Sequence, residues 1–426
     1  MRQTFGKRVS LCHTSMKINK HCFPNGLRLV HYEDTSTQMV ALNIVYDVGA
    51  RDEHPEHTGF AHLFEHLMFG GSAHIPDYDT PLQLAGGENN AWTNNDITNY
   101  YLTVPKPNVE TAFWLESDRM LELAFSEQSL EVQRGVVMEE FKQRCLNQPY
   151  GDVGHLFRPL AFRVHPYRWP TIGKELSHIE QATLDEVKSF FYRFYAPNNA
   201  VLAVTGNISW DETVKLTEKW FAPIPRRDVP VRQLPQEPEQ TQERRLMVER
   251  NVPLDALFMG YHMCSREGAD YYAFDILSDI LSNGRSSRLN RRLVQEQNIF
   301  SGIDAYISGT RDAGLLQISG KPAAGVSLEQ AEAAVRKELE ELQRSPVDGQ
   351  ELEKVKNKFE STQIFGNINY LNVATNLAWF ELTGKAEDID LEVERYRSVT
   401  TEQLHTVAQR TFCESNAVVL YYKSDK

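Results

Sequence analysis

TLDEVKSFFYRFYAPNNAVLAVTGNI (residues 183–208) and TTEQLHTVAQRTFCESNAVVLYYK (residues 400–423) share one design, and their agreement decides the reading of the fold. Each opens on a threonine that caps a helix, breaks, passes through Asn-Ala, and ends in a strand rich in Val, Leu and Ala. The second copy comes roughly 200 residues after the first, too long a period for a solenoid. Duplication of one α+β domain accounts for it. The expected fold is therefore two homologous α/β-sandwich-like domains, each a mostly antiparallel sheet with helices packed on it.

Working outward, PIPRRDVPVRQLPQEP (residues 223–238) holds five prolines and shows neither helical nor strand period. It reads as a linker. The expected organisation is an N-terminal extension over 1–22, a first domain over 23–222, a linker over 223–239 and a second domain over 240–426. The first domain begins with the strand MVALNIVYDVGARDE (39–53) and a helix inside GFAHLFEHLMFGG (59–71). NNAWTNNDITNYYLTV (89–104) follows, strand-like with turn residues. The second domain runs DALFMGYHM (255–263), the helix DYYAFDILSDILSNG (270–284), and GIDAYISGTRDAGLLQISGKP (302–322) as two strands.

The 426 residues are 41% hydrophobic and 24% charged, ordinary values for a globular protein. A net charge of −13 argues against a nucleic-acid binder, which would present a basic face. No apolar run approaches the length of a membrane span. Five scattered cysteines without C-x-x-C spacing argue against a disulfide framework or a cysteine–zinc site, and point to a reducing, cytoplasmic location. The first 23 residues are basic but lack an apolar signal-peptide core; a mitochondrial-type presequence is the minority alternative.

His62 and His66 lie four apart, so one helix face can present both imidazoles to a single metal ion. Glu65 projects from the adjoining flank, placed to take a proton from water without being a ligand. This is a hydrolytic zinc arrangement with the glutamate beside the second histidine. A third ligand is required, and SLEVQRGVVMEEFKQR (129–144) offers Glu140, 74 positions after His66. Val137 and Phe141 share its apolar side, where a carboxylate is costly unless paired or metal-bound. Glu139 is the rival, about 100° round the helix, and periodicity alone does not choose between them. The competing structural reading is a solvated Glu/Lys/Arg face with two surface histidines. His54, His57 and His74 fall in loops and read as surface residues. At the matching place in the second half stand Asp275, Ser278 and Asp279, so the chemistry belongs to the first half.

The order HTGFAHLFEHLMFGGS (57–72), GGENNAWTNNDITNYYLTV (86–104), EVQRGVVMEEFKQR (131–144) and FYAPNNAVLAVTGNI (194–208) resembles the inverted-motif zinc peptidases, the family of pitrilysin, insulysin and the mitochondrial processing peptidases. The resemblance runs from FPNGLRLV at residue 23 onward and looks like the short-subunit bacterial branch, in which two chains close a chamber. It implies Zn2+ held by His62, His66 and Glu140, which resolves the Glu139 ambiguity, with Glu65 as general base. It also implies that Asn90, Ala91, Trp92 and Thr93 form an edge strand to which a peptide substrate adds. Two departures stand out. Gln133 replaces a glutamate thought to assist catalysis. Leu293 and Phe300 replace an arginine and a tyrosine that hold the substrate carbonyl, with Arg292 and Tyr306 nearby but out of register. The resemblance therefore implies a dimer, and specifically a heterodimer whose companion subunit carries the Arg/Tyr pair, with a homodimer as the alternative. The functional expectation is a zinc metalloendopeptidase acting on short or unfolded peptides. The alternatives are a non-catalytic structural subunit like the core proteins of a respiratory complex, and a processing peptidase for targeting presequences.

Overall fold

Thr183 and Thr400 both cap helices. Thr183 Oγ1 accepts from Glu186 N at 3.3 Å, and Thr400 Oγ1 accepts from Gln403 N at 3.1 Å. The strands that follow each helix enter the middle of two separate sheets in a computed structural model that describes residues 15–425.

The first sheet contains β1 (Ile18–Cys22), β2 (Arg28–Glu33), β3 (Met39–Tyr46), β4 (Glu88–Thr93), β5 (Thr98–Pro105) and β6 (Ala200–Gly206), in the order β1-β2-β6-β3-β5-β4. The second contains β7 (Arg244–Arg250), β8 (Ala256–Met263), β9 (Phe300–Ile307), β10 (Gly314–Pro322) and β11 (Ala417–Ser424), in the order β7-β11-β8-β10-β9. Strand for strand the second order repeats β2-β6-β3-β5-β4. Each sheet has one parallel pair, β2 with β6 and β7 with β11, and is otherwise antiparallel. Duplication of one α+β unit is thus visible in the topology. β1 lies inside the segment set apart as an N-terminal extension, and residues 1–14 of that segment lie outside the described residues.

Each half keeps its own core, but each also receives a helix from the other. Tyr370–Thr383, from the second half, lays Val373, Ala374, Leu377 and Ala378 against Val30, Ala41, Val45, Val201 and Ala203 of the first sheet. Val153–Ala161, from the first half, sets Phe157 and Ala161 against Ala256, Leu315, Val418 and Leu420 of the second. This explains why β6 reads AVLAVTG and is buried at every position: both of its faces are covered. Each sheet is thus built from one half of the chain, while one helix of each half packs on the sheet of the other. Leu377→Ala, at a fully buried position, is expected to cost about 2–5 kcal/mol in chemical denaturation. The loss would register in probes of the first half although the residue belongs to the second.

Residues 225–241 carry no helix or strand. They are nonetheless tied down: Glu237 accepts from the backbone N–H groups of Arg163, Val164 and His165 at 2.8–3.1 Å. Arg232 donates to Asp47 Oδ2 at 2.8 Å and to Asp52 Oδ1 at 2.5 Å.

Glu332, on the helix Leu328–Arg344, braces the second half. It accepts both Arg245 Nη atoms at 2.7 Å, Arg336 Nε at 2.7 Å and the Tyr421 hydroxyl at 2.5 Å. Burial alone would raise its pKa, but these donors hold it down to about 2, from 4.5. Its contribution is therefore complete above pH 4.5 and lost as pH falls towards 2. In Glu332→Gln the stability deficit relative to wild type should be largest near neutral pH and shrink through that acid window, as followed by urea titrations at stepped pH. A deficit independent of pH would refute the assignment.

Candidate metal centre

The helix Phe60–Leu67 buries Phe60, Ala61, Leu63, Phe64 and Leu67 in the first core. The Phe64 ring stacks on Tyr195 with centroids 5.0 Å apart. That apolar anchorage leaves the His62–Glu65–His66 flank facing the helix Glu127–Phe141. Gly59 precedes the helix at φ +89°, and a Cβ there would come within 2.6 Å of Ile179 Cδ1. The first helical N–H groups go to Glu53, whose oxygens accept from Gly59 N at 2.9 Å and Ala61 N at 2.8 Å. Burial pushes the Glu53 carboxyl up to about 8, against these N–H groups, which favour its ionised form. Sequence reasoning missed Glu53. Its partner is set by how the intervening loop folds back, and the only trace in the sequence is an acid shortly before the helix. On the other side, Ser126 caps Glu127–Phe141, and Ser129 Oγ reaches the Gly70 carbonyl at 3.2 Å. A side chain at Gly70 would meet that hydroxyl at 2.5 Å, so the glycine lets the two segments close.

His62 Nε2 lies 3.6 Å and His66 Nε2 3.4 Å from Glu140 Oε2. One ligand atom from each of the three residues falls within 4.8 Å of the others. Among the described residues this is the group of His, Cys, Asp and Glu side chains with metal-binding spacing. Burial lowers the pKa of His62 to about 4 and lowers that of His66, so both rings are neutral and offer lone pairs. His62 Nδ1 is buried without a hydrogen-bond partner. Arg144 Nη1 holds the other Glu140 oxygen at 3.0 Å. A neutral N, N and carboxylate O set converging on one point fits a zinc ion. Glu139 points elsewhere: it is 57% exposed, against 19% for Glu140, and pairs with Lys142. Glu65 is part-buried. Burial raises its pKa, while hydrogen bonds from Thr93 act the other way.

β4 is the free edge of the first sheet, bonded only to β5. Ala91 N is held by the Asn90 side-chain oxygen at 2.8 Å, so one edge amide is covered from within. Trp92 and Thr93 are part-buried, and Thr93 connects this edge to Glu65. His54, His57 and His74 are exposed, and His57 and His74 pair with Glu186 and Asp118. Gln133 lies part-buried two turns before Glu140, near Gly70. Leu293 and Phe300 are fully buried in the second core, and Arg292 is committed to Glu338 and Glu341. In the helix Tyr271–Ser282, Asp275 accepts from the Tyr396 hydroxyl and Asp279 from Asn283. Those positions serve structure.

Two models of one family match this sequence. One, described as Insulinase (Peptidase family M16), covers residues 28–152, and the other, described as Peptidase M16 inactive domain, covers residues 181–359. The chain belongs to the M16 peptidase family. The first match contains His62, Glu65, His66 and Glu140; the second contains Leu293 and Phe300. Among M16 relatives, the zinc protease PqqE of Helicobacter pylori is 26% identical over 420 residues, 96% of this chain and 94% of its own. The uncharacterized zinc protease YmxG of Bacillus subtilis is 24% identical, over 95% of this chain and 98% of its own. A crystal structure of a protease from Helicobacter pylori superposes with a TM-score of 0.91 at 26% identity, covering 96% of this chain and all of that one. Among the described residues no helix is long and apolar enough to cross a membrane.

Proposed function

We propose that this M16 chain is a zinc metalloendopeptidase that hydrolyses short or unfolded peptides in a chamber closed by a second subunit. The observation that carries the reading is the convergence of His62, His66 and Glu140 with Glu65 on the adjoining flank of the same helix. Zinc, held by those three residues, would polarise a peptide carbonyl and acidify water. The chain's own part is proton handling and positioning. Glu65 takes the proton of the attacking water as its oxygen bonds to the carbonyl carbon. It then delivers that proton to the leaving amine as the C–N bond breaks. Burial raises the Glu65 pKa, which suits a group that must both accept and return a proton. Thr93 orients that carboxylate from the end of β4, coupling the substrate edge to the base. A peptide adding to β4 is held by main-chain hydrogen bonds, which tolerate varied sequences. The Asn90 side chain must release Ala91 N for full pairing.

With core residues at 293 and 300, this chain's second half lacks the Arg/Tyr pair expected to grip the substrate carbonyl. A companion subunit carrying that pair, in a cytoplasmic heterodimer, is part of the proposal. The non-catalytic reading is disfavoured because ligands and base are all present. The test is metal analysis and cleavage of a quenched peptide by the purified chain, alone and with its companion. About one zinc per chain is expected. A well-folded preparation that takes up no zinc would overturn the enzyme reading, and full activity as a homodimer would overturn the split site.

A further inference from the structure

Thr93 faces two ways. It hydrogen-bonds Glu65, and it lines a cleft of about 460 Å³ between the two halves. The cleft walls come from the turn after β4 (Asn94, Asn95), from the helix Val153–Ala161 (Phe157, Arg158) and from β9 (Tyr306). β4 and β9 are edge strands of their sheets, so the cleft lies where an extended peptide on β4 would run off its end.

Arg158 is the cation in this wall. Its Nη1 donates only to neutral oxygens, Asn95 Oδ1 at 3.3 Å and the Tyr167 carbonyl at 3.4 Å. Among the described residues no carboxylate forms an ion pair with it. The arginines at the same junction behave differently: Arg51, Arg232 and Arg311 are each matched to aspartates at 2.5–3.6 Å. Asp96 also lines the cleft, but its carboxylate is taken by Arg51 at 3.1 Å, the Tyr167 hydroxyl at 2.5 Å and Arg311 N at 3.0 Å. Asp304, two residues before Tyr306 on the same exposed side of β9, is the remaining nearby acid. Burial lowers the Arg158 pKa, which marks the cost of holding this charge without a counter-ion. A guanidinium has five donors, and most of these are uncommitted. The Tyr306 phenol, half exposed, lines the same cleft as a further donor.

We infer that Arg158, assisted by Tyr306, forms a subsite for a substrate carboxylate, either an Asp or Glu side chain or the peptide's C-terminus. The inference rests on the peptidase reading and deepens it: the preferred substrates are acidic peptides, and a basic presequence is the wrong match. The net charge of −13 points the other way, but it is the local unpaired cation that meets the substrate.

The test uses the full chain with Glu65→Gln, alone and with its companion subunit, so that binding is read without turnover. Labelled peptides of one parent sequence carry Glu, Gln or Lys at successive positions, each with a free or amidated C-terminus. Fluorescence anisotropy should show Glu at one position, or the free C-terminus, binding about 10- to 100-fold tighter than its neutral counterpart. Position dependence identifies a side-chain carboxylate, and sensitivity to amidation identifies the terminus. Adding Arg158→Gln should abolish the preference, and adding Arg158→Glu should turn it towards Lys. The neutral variant keeps the test decisive if the charge reversal does not fold. An unchanged Glu/Gln ratio in Arg158→Gln, with wild type cleaving the parent peptide, overturns the subsite and leaves the peptidase reading standing. Absence of both binding and wild-type cleavage with the companion subunit present overturns the peptidase reading, and the subsite with it.

Discussion

Glu65→Gln is expected to keep its zinc and its fold while losing peptide cleavage by about 10²- to 10⁴-fold, the usual contribution of a positioned general base. The substitution is isosteric and retains an oxygen for the hydrogen bonds from Thr93, so the helix and the β4 edge stay where they are. What disappears is basicity. Because the loss falls on the proton-transfer step, kcat should drop while KM for a quenched peptide changes little. Metal analysis should give wild-type zinc content, since Glu65 is outside the converging trio. Activity within tenfold of wild type would remove Glu65 from the mechanism, and loss of zinc would recast it as a ligand.

The second large effect is on metal retention, and it separates two adjacent residues. Glu140→Gln replaces a charged donor between His62 and His66 with a neutral amide and leaves Arg144 without its partner oxygen. Even outer-sphere partners of a metal site cost about 10- to 100-fold in affinity when mutated, so removing a direct ligand should exceed that. The variant should emerge from dialysis without zinc. Wild-type Tm should fall on chelation, because a metal that binds only the folded chain stabilises it by mass action. In Glu140→Gln, the chelator should leave Tm unmoved. Glu139→Gln should match wild type in zinc content and chelator response, since Glu139 is exposed and faces Lys142. The opposite pattern would transfer the ligand role to Glu139.

Local spacing made the duplicated α+β fold, the paired histidines and the flanking acid legible. These depend on helix period, caps and strand alternation, which neighbouring residues impose on one another whatever surrounds them. The choice between Glu139 and Glu140 was not local: two glutamates a single position apart differ only in which neighbour each faces. Glu53 was invisible for the same reason, since its work as a helix cap depends on a loop bringing it back to Gly59 and Ala61. The crossed helices Val153–Ala161 and Tyr370–Thr383 are apolar enough to demand burial, but an apolar face does not say which sheet will cover it.

By itself, then, the sequence determined the duplicated α+β architecture and the placing of two histidines and a flanking acid on one helix, because these follow from spacing along one helix or from one repeated design. Only the tertiary structure decided which charges are answered. It matched Glu332 to two arginines, set Glu140 against two neutral histidines, and left Arg158 beside the turn after the β4 edge without a counter-ion. A charge is written in the sequence, but its balance is a matter of distance, and the distances here are made by segments far apart in the chain.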